Sequence, residues 1–162
     1  MNLQSNSRAI ALALQQKQQN YQWSAVLLQQ HEQLAQEIQG IQRLLERDLC
    51  YLLQLDKALK KLIKGVLTHL ELETCFIVPG LTGSELSDRQ KYALTQGYTQ
   101  LQQTCHDTSQ YLHRLKLTKG NCLISQDNQL KISHFLQEIS QRLQDEDLIY
   151  TRLKETEVAH AL

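Results

Sequence analysis

Proline occurs once in this chain of 162 residues, glycine six times, phenylalanine twice and tryptophan once. So little turn-forming material argues against a sheet of short strands, which needs a tight reversal every few residues. Neither charge sign is in excess: 17 Lys and Arg stand against 17 Asp and Glu, with no long run of either. A phosphate backbone or an anionic bilayer is therefore not indicated as a partner. No stretch approaches the roughly 20 apolar residues that cross a bilayer. The opening Met1-Asn2-Leu3-Gln4-Ser5-Asn6 lacks the basic-then-apolar order of a secretory signal. These absences predict a cytoplasmic protein with no nucleic acid partner and no membrane insertion. Cys50, Cys75, Cys105 and Cys122 are far apart and form no Cys-x-x-Cys pair, which speaks against structural zinc and a disulfide framework. The glycine-rich phosphate loops of nucleotide-binding proteins are missing as well, so no cofactor is expected.

What remains is leucine and glutamine in a helical rhythm. Leu27, Leu34, Ile38, Ile41, Leu45, Leu49, Leu52, Leu59, Leu62, Val66 and Leu70 recur in steps of three and four, a stripe in near-heptad register. The spacing predicts one helix of roughly fifty residues, about 75 Å long at 1.5 Å per residue, with Gly40 as a place where it could bend. Residues 1–20 are less periodic and are expected to be mobile or loosely docked. Pro79, Gly80 and Gly83 mark the clearest break. After it, Thr82-x-x-Glu85 and Ser87-x-x-Gln90 both fit a capping box that opens a second helix.

That helix carries Tyr92, Leu94, Tyr98, Leu101, Cys105, Tyr111, Leu112 and Leu115, and should run antiparallel to the first. At Gly120 two outcomes stay open: a stop, with Ser125 capping a third helix through Leu130, Phe135, Leu136, Ile139 and Leu143, or straight continuation. Beyond Leu143, the stretch Leu148, Ile149, Tyr150 and Leu153 either forms a docking tail with exposed apolar residues or simply continues the bundle. The fold class is all-α: a single domain over residues 1–162, an elongated antiparallel hairpin or bundle of three to four helices with coiled-coil-like packing, residues 143–162 being the candidate docking tail.

Convergent chemistry is sparse. His69 and Glu73 share a helical face at i,i+4, and His31-Glu32 and Cys105-His106 are adjacent, but no repeated ligand doublet stands out. Surface positions or helix packing account for each, so no catalytic and no metal residue is expected. A metal protein in which His31, His69, His106 and His113 meet only in three dimensions is the remaining chemical alternative. Lys57, Lys60, Lys61 and Lys64 read as a solvated face, and Trp23 as part of a packed helix seam.

The long stripe ending in Lys60-Lys61-Leu62-Ile63-x-x-Val66, then Leu70-Glu71, Phe76-Ile77 and Gly80-Leu81, followed by Cys105, Leu112-x-x-Leu115 and Asn121-Cys122-Leu123-Ile124, resembles the FlgN family of flagellar export chaperones. The resemblance covers about residues 25–150. Family members usually carry N-x-x-N-G-x-L-I at the later segment, where this chain has inverted the Asn-Gly order and lacks the first Asn. The resemblance implies a non-enzymatic cytoplasmic chaperone that holds the C-terminal helical region of hook-associated proteins unassembled before type III export, with the export apparatus as a further partner. By position and analogy, Leu136, Ile139, Leu143, Leu148, Ile149, Tyr150 and Leu153 would contact the client. The competing reading is a coiled-coil scaffold that acts by forming a homo-oligomer.

Overall fold

The computed structural model describes the backbone of residues 3–78 and 86–158, and side chains over residues 22–78 and 86–153. Over these residues it is an all-α bundle of four helices: α1 (Leu3–Leu45), α2 (Leu52–Leu72), α3 (Asp88–Lys119) and α4 (Gln126–Val158). A π-helical turn, Glu73–Ile77, extends α2, with the Val78 N–H donating five residues back to the Glu73 carbonyl. No described helix is long and apolar enough to cross a membrane. Pro79 and the Thr82–Glu85 capping box lie outside the described residues.

The expected fifty-residue helix is two helices. α1 runs unbroken through Gly40 and ends at Leu45; the chain then reverses over residues 46–51. Leucine periodicity continues across that reversal, so the stripe concealed it. Leu49, counted as a stripe position, is exposed, while Cys50 is buried. The loop persists because it is paired. Leu52 N–H donates to Cys122 O at 2.9 Å, Ile124 N–H donates to Cys50 O at 2.9 Å, and Leu53 N–H donates to Asn121 Oδ1 at 3.3 Å. Backbone groups at the start of α2, which have no partner within that helix, thus find partners in the α3–α4 loop.

Gly120 is a stop. Its φ of 60° belongs to the left-handed region that favours glycine, and its N–H closes α3 by donating to Lys116 O at 2.9 Å. Ser125 Oγ then accepts from Asn128 N–H at 3.3 Å and opens α4. At the other end of α3 the Ser87 capping box is complete: Ser87 Oγ accepts from Gln90 N–H at 3.3 Å, and Ser87 N–H donates to Gln90 Oε1 at 3.0 Å.

Neighbouring helices run antiparallel. Trp23 stacks on Phe76 with ring centroids 3.8 Å apart, while farther along Lys61 Nζ meets Glu37 at 3.0 Å, so α2 descends as α1 rises. α3 lies against α2, where Lys116 Nζ reaches the buried Asp56 at 2.9 Å. α4 closes the ring against both α3 and α1. Lys57, Lys60, Lys61 and Lys64 are all exposed, as a solvated face requires.

The interior divides into two apolar clusters. One runs through Leu34, Ile38, Leu59, Leu62, Val66, Leu101, Leu112, Leu136 and Ile139. The other gathers Leu27, Ile77, Leu86, Leu94, Ile149, Tyr150 and Leu153. On each helix the residue between the clusters is polar or glycine, and that layer is the candidate site.

Candidate functional site

Four helices contribute to the layer: His31 from α1, His69 and Glu73 from the end of α2, Gly97 from α3, and Arg142 and Glu146 from α4. Each sits three or four residues from an apolar neighbour on its own stripe, as Leu27, His31 and Leu34 illustrate, so the helix that packs the leucines also carries the polar groups inward. His31, His69, Glu73 and Glu146 are buried to within a few per cent of full exclusion. Charges taken this far from water persist only when paired.

Three donor atoms form a near-equilateral triangle. His31 Nε2 is 3.1 Å from His69 Nε2 and 3.1 Å from Glu146 Oε2, and His69 Nε2 is 3.0 Å from the same oxygen. Glu73 Oε2 lies 3.9 Å from His69 Nε2 and has no hydrogen-bond partner among the described residues. The far nitrogens of both rings are committed. His31 Nδ1–H donates to Asp147 Oδ1 at 2.6 Å, and His69 Nδ1–H donates to Gln30 Oε1 at 3.2 Å. A neutral imidazole that donates through Nδ1 has only a lone pair at Nε2. Both Nε2 atoms and a carboxylate oxygen therefore point lone pairs at one another.

A proton at one Nε2 would relieve part of this. Burial lowers the His31 pKa, but hydrogen bonds to Glu146 and Asp147 outweigh it and raise the pKa overall. His69 is lowered, chiefly by burial and despite Glu146, with the His31 and Arg142 charges adding to the fall. A proton on His31 Nε2 would have two acceptors, and the 3.0 Å approach of His69 Nε2 to Glu146 Oε2 would still be without one. Burial would raise the Glu146 carboxyl, yet the two histidines and Arg142 hold it well below the usual range. Glu73 is pushed up by burial and by the Glu146 charge, against the pull of Arg142.

Arg142 supplies the permanent cation. Its Nε donates to Glu146 Oε1, its Nη2 lies 3.3 Å from Glu73 Oε1, and its Nη1 and Nη2 donate to the carbonyls of Ala93 and Leu94 at 2.5 and 3.4 Å. Gly97 makes this possible, because a Cβ there would overlap the guanidinium. Tyr150 closes the layer: its ring centroid is 5.4 Å from that of His31, and burial followed by the two glutamate charges holds its phenol well above the usual range.

His31, His69 and Glu146 are a donor set that could hold a metal ion, and Glu73 Oε2, 3.9 Å from His69 Nε2, lies beside this set rather than in it. Cis donors about 2.1 Å from a six-coordinate ion are about 3.0 Å apart, which is the edge length of this triangle. Donation of each outer nitrogen to an oxygen is how metal-bound histidines are usually oriented. A π-helical turn beginning at Glu73 adds a feature that recurs at functional sites.

Of the four histidines that sequence reasoning grouped, His31 and His69 meet, whereas His106 and His113 are exposed on α3. Glu146, Arg142 and Gly97 were missed. The available signal was their place on the apolar stripes, where a charged residue or glycine interrupts a run of leucines on each helix at one level.

The seven residues read as client contacts lie elsewhere than a free tail. Leu136, Ile139, Leu143, Ile149, Tyr150 and Leu153 are buried, and α4 carries them as part of the bundle; Leu148 alone is exposed, at 73%. Exposed apolar side chains instead collect at the loop end: Leu49, Tyr51, Leu53, Leu117, Leu123 and Leu130. No family model, curated protein or solved structure matches this chain.

Proposed function

We propose that this bundle binds a divalent transition metal ion through His31, His69 and Glu146, with the Glu73 carboxylate beside them. The observation that carries this reading is the triangle of inward lone pairs at 3.0 and 3.1 Å, which the tautomers set by Asp147 and Gln30 leave short of protons. Two imidazoles and a carboxylate on one face are the donors of mononuclear iron(II) sites and also suit zinc, and inward Glu and His side chains on facing helices are a common way for bundles to hold metal. The test is titration of metal-free protein with cobalt(II), zinc(II) and, without oxygen, iron(II), followed by calorimetry and the visible spectrum of the cobalt form. Tight binding is expected in the native chain and a loss of at least a hundredfold in His69→Ala, with helicity checked by circular dichroism. Equal affinity in the two proteins would remove the site.

The export-chaperone function implied by the sequence resemblance is a second proposal, favoured by the apolar residues at the loop end. An amphipathic client helix could cover such a surface, whereas capture through Leu136, Ile139 or Tyr150 would require α4 to leave the bundle. Co-expression with the C-terminal segments of hook-associated proteins tests it: a complex is expected that Leu49→Ser, Leu53→Ser and Leu130→Ser together abolish. Absence of any complex, with tight self-association by light scattering, would favour a homo-oligomeric scaffold.

A further inference from the structure

We propose that Arg142 stands as a resident cation where a second metal ion would otherwise sit, and so restricts the site to one ion. This rests on the metal-binding reading. The geometry behind it is a division of the two buried carboxylates. Glu146 turns Oε2 to the histidines and Oε1 to Arg142; Glu73 leaves Oε2 on the histidine side and gives Oε1 to Arg142 at 3.3 Å. Each carboxylate therefore spans two positive positions, one open and one filled by guanidinium. Carboxylates that bridge two ions in helical bundles are shared in the same way.

Spacing gives the same answer. α2 presents His69 and Glu73 at i,i+4, and α4 presents Arg142 and Glu146 at the same interval. Arg142 thus occupies, on α4, the position that a ligating histidine holds on α2. It is also fixed there by two α3 carbonyls, in space that Gly97 leaves open. An arginine remains charged at any pH a folded protein meets and offers no lone pair, so it can replace an ion's charge but cannot bind one.

The local charge balance agrees with a single ion. The buried Glu73 and Glu146 and the half-exposed Asp147 behind His31 bring three carboxylates to the site, and Arg142 brings one guanidinium. One divalent ion neutralises the remainder, while a second would leave two uncompensated positive charges in a buried layer.

The experiment is metal stoichiometry by native mass spectrometry and by equilibrium dialysis with zinc(II) and cobalt(II), on the native chain, Arg142→His and Arg142→Lys. Ions held by exposed histidines are subtracted with a His31→Ala/His69→Ala control. One ion is expected in the native chain and in Arg142→Lys, which keeps the charge. Two are expected in Arg142→His, where an imidazole faces the freed carboxylate oxygens. Two ions in the native chain, or one in a folded Arg142→His, would overturn the role of Arg142 while leaving the metal site standing. No ion in the native chain would remove the metal-binding reading and this inference with it. If Arg142→His does not fold, Arg142→Gln replaces it: there a second ion held at least tenfold more weakly than the first supports the inference, and strictly one ion overturns it.

Discussion

Arg142→Leu is the most informative change to the stability of the metal-free protein. The guanidinium is 14% exposed and pairs with two carboxylates that are 1–2% exposed. Its removal takes away the cation that Glu73 and Glu146 share. Breaking a buried pair on one side costs about 3–5 kcal/mol. With a urea dependence of about 2 kcal/mol per molar, the unfolding midpoint should fall by about 1.5–2.5 M, read by circular dichroism at pH 7.5. Adding Glu73→Gln makes the test sharper. In the native background Glu73 is pushed up to about 8 despite Arg142, so that change should be neutral or stabilising at pH 7.5. In Arg142→Leu nothing opposes the burial and the Glu146 charge, and the change should restore about 1–2 kcal/mol more than in the native background, within the range of couplings between contacting charges. A Glu73→Gln effect of the same sign and size in both backgrounds would refute the claim that Arg142 is the counter-charge of this carboxylate pair.

Three other outcomes are expected. Leu136→Ala, which empties a fully buried position, should cost about 2–5 kcal/mol. Leu148→Ser should change stability by less than about 0.5 kcal/mol; a comparable loss in both would show that the two positions do not differ in burial as described. Ser87→Ala removes the hydroxyl that accepts from Gln90 N–H and should cost about 1 kcal/mol in urea unfolding; an unchanged midpoint would deny the cap a role. Toward a thiol reagent, exposed Cys75 should react at once, while Cys105, its thiol pushed up to about 11 by burial, should react only on unfolding. Rapid modification of Cys105 in native buffer would contradict its placement in the core.

The sequence by itself determined the class of fold and much of its punctuation. Steps of three and four between leucines place apolar groups on one side of a helix whatever it packs against, and the Ser87–Gln90 box and the Ser125 cap act within a single turn. The reversal at residues 46–51 was not legible. It carries neither glycine nor proline, and the hydrogen bonds that hold it come from residues 121–124, about seventy positions away. Gly120 was ambiguous for a related reason: a glycine permits a positive φ but does not require one. The fate of the α4 apolar residues was equally open, because an amphipathic stripe is the same whether its partner is this chain or another. Tertiary structure decided it by laying α4 against α1 and α3, which buried Ile149 and Tyr150 and left Leu148 outside. The polar layer is the strongest case. His31, the His69–Glu73 pair and the Arg142–Glu146 pair are spread over more than a hundred residues, and no local spacing relates the three to one another. Only the common level of four antiparallel helices brings two imidazoles, two carboxylates and a guanidinium within contact. A group's charge and lone pairs belong to its sequence, but what they face is set by packing.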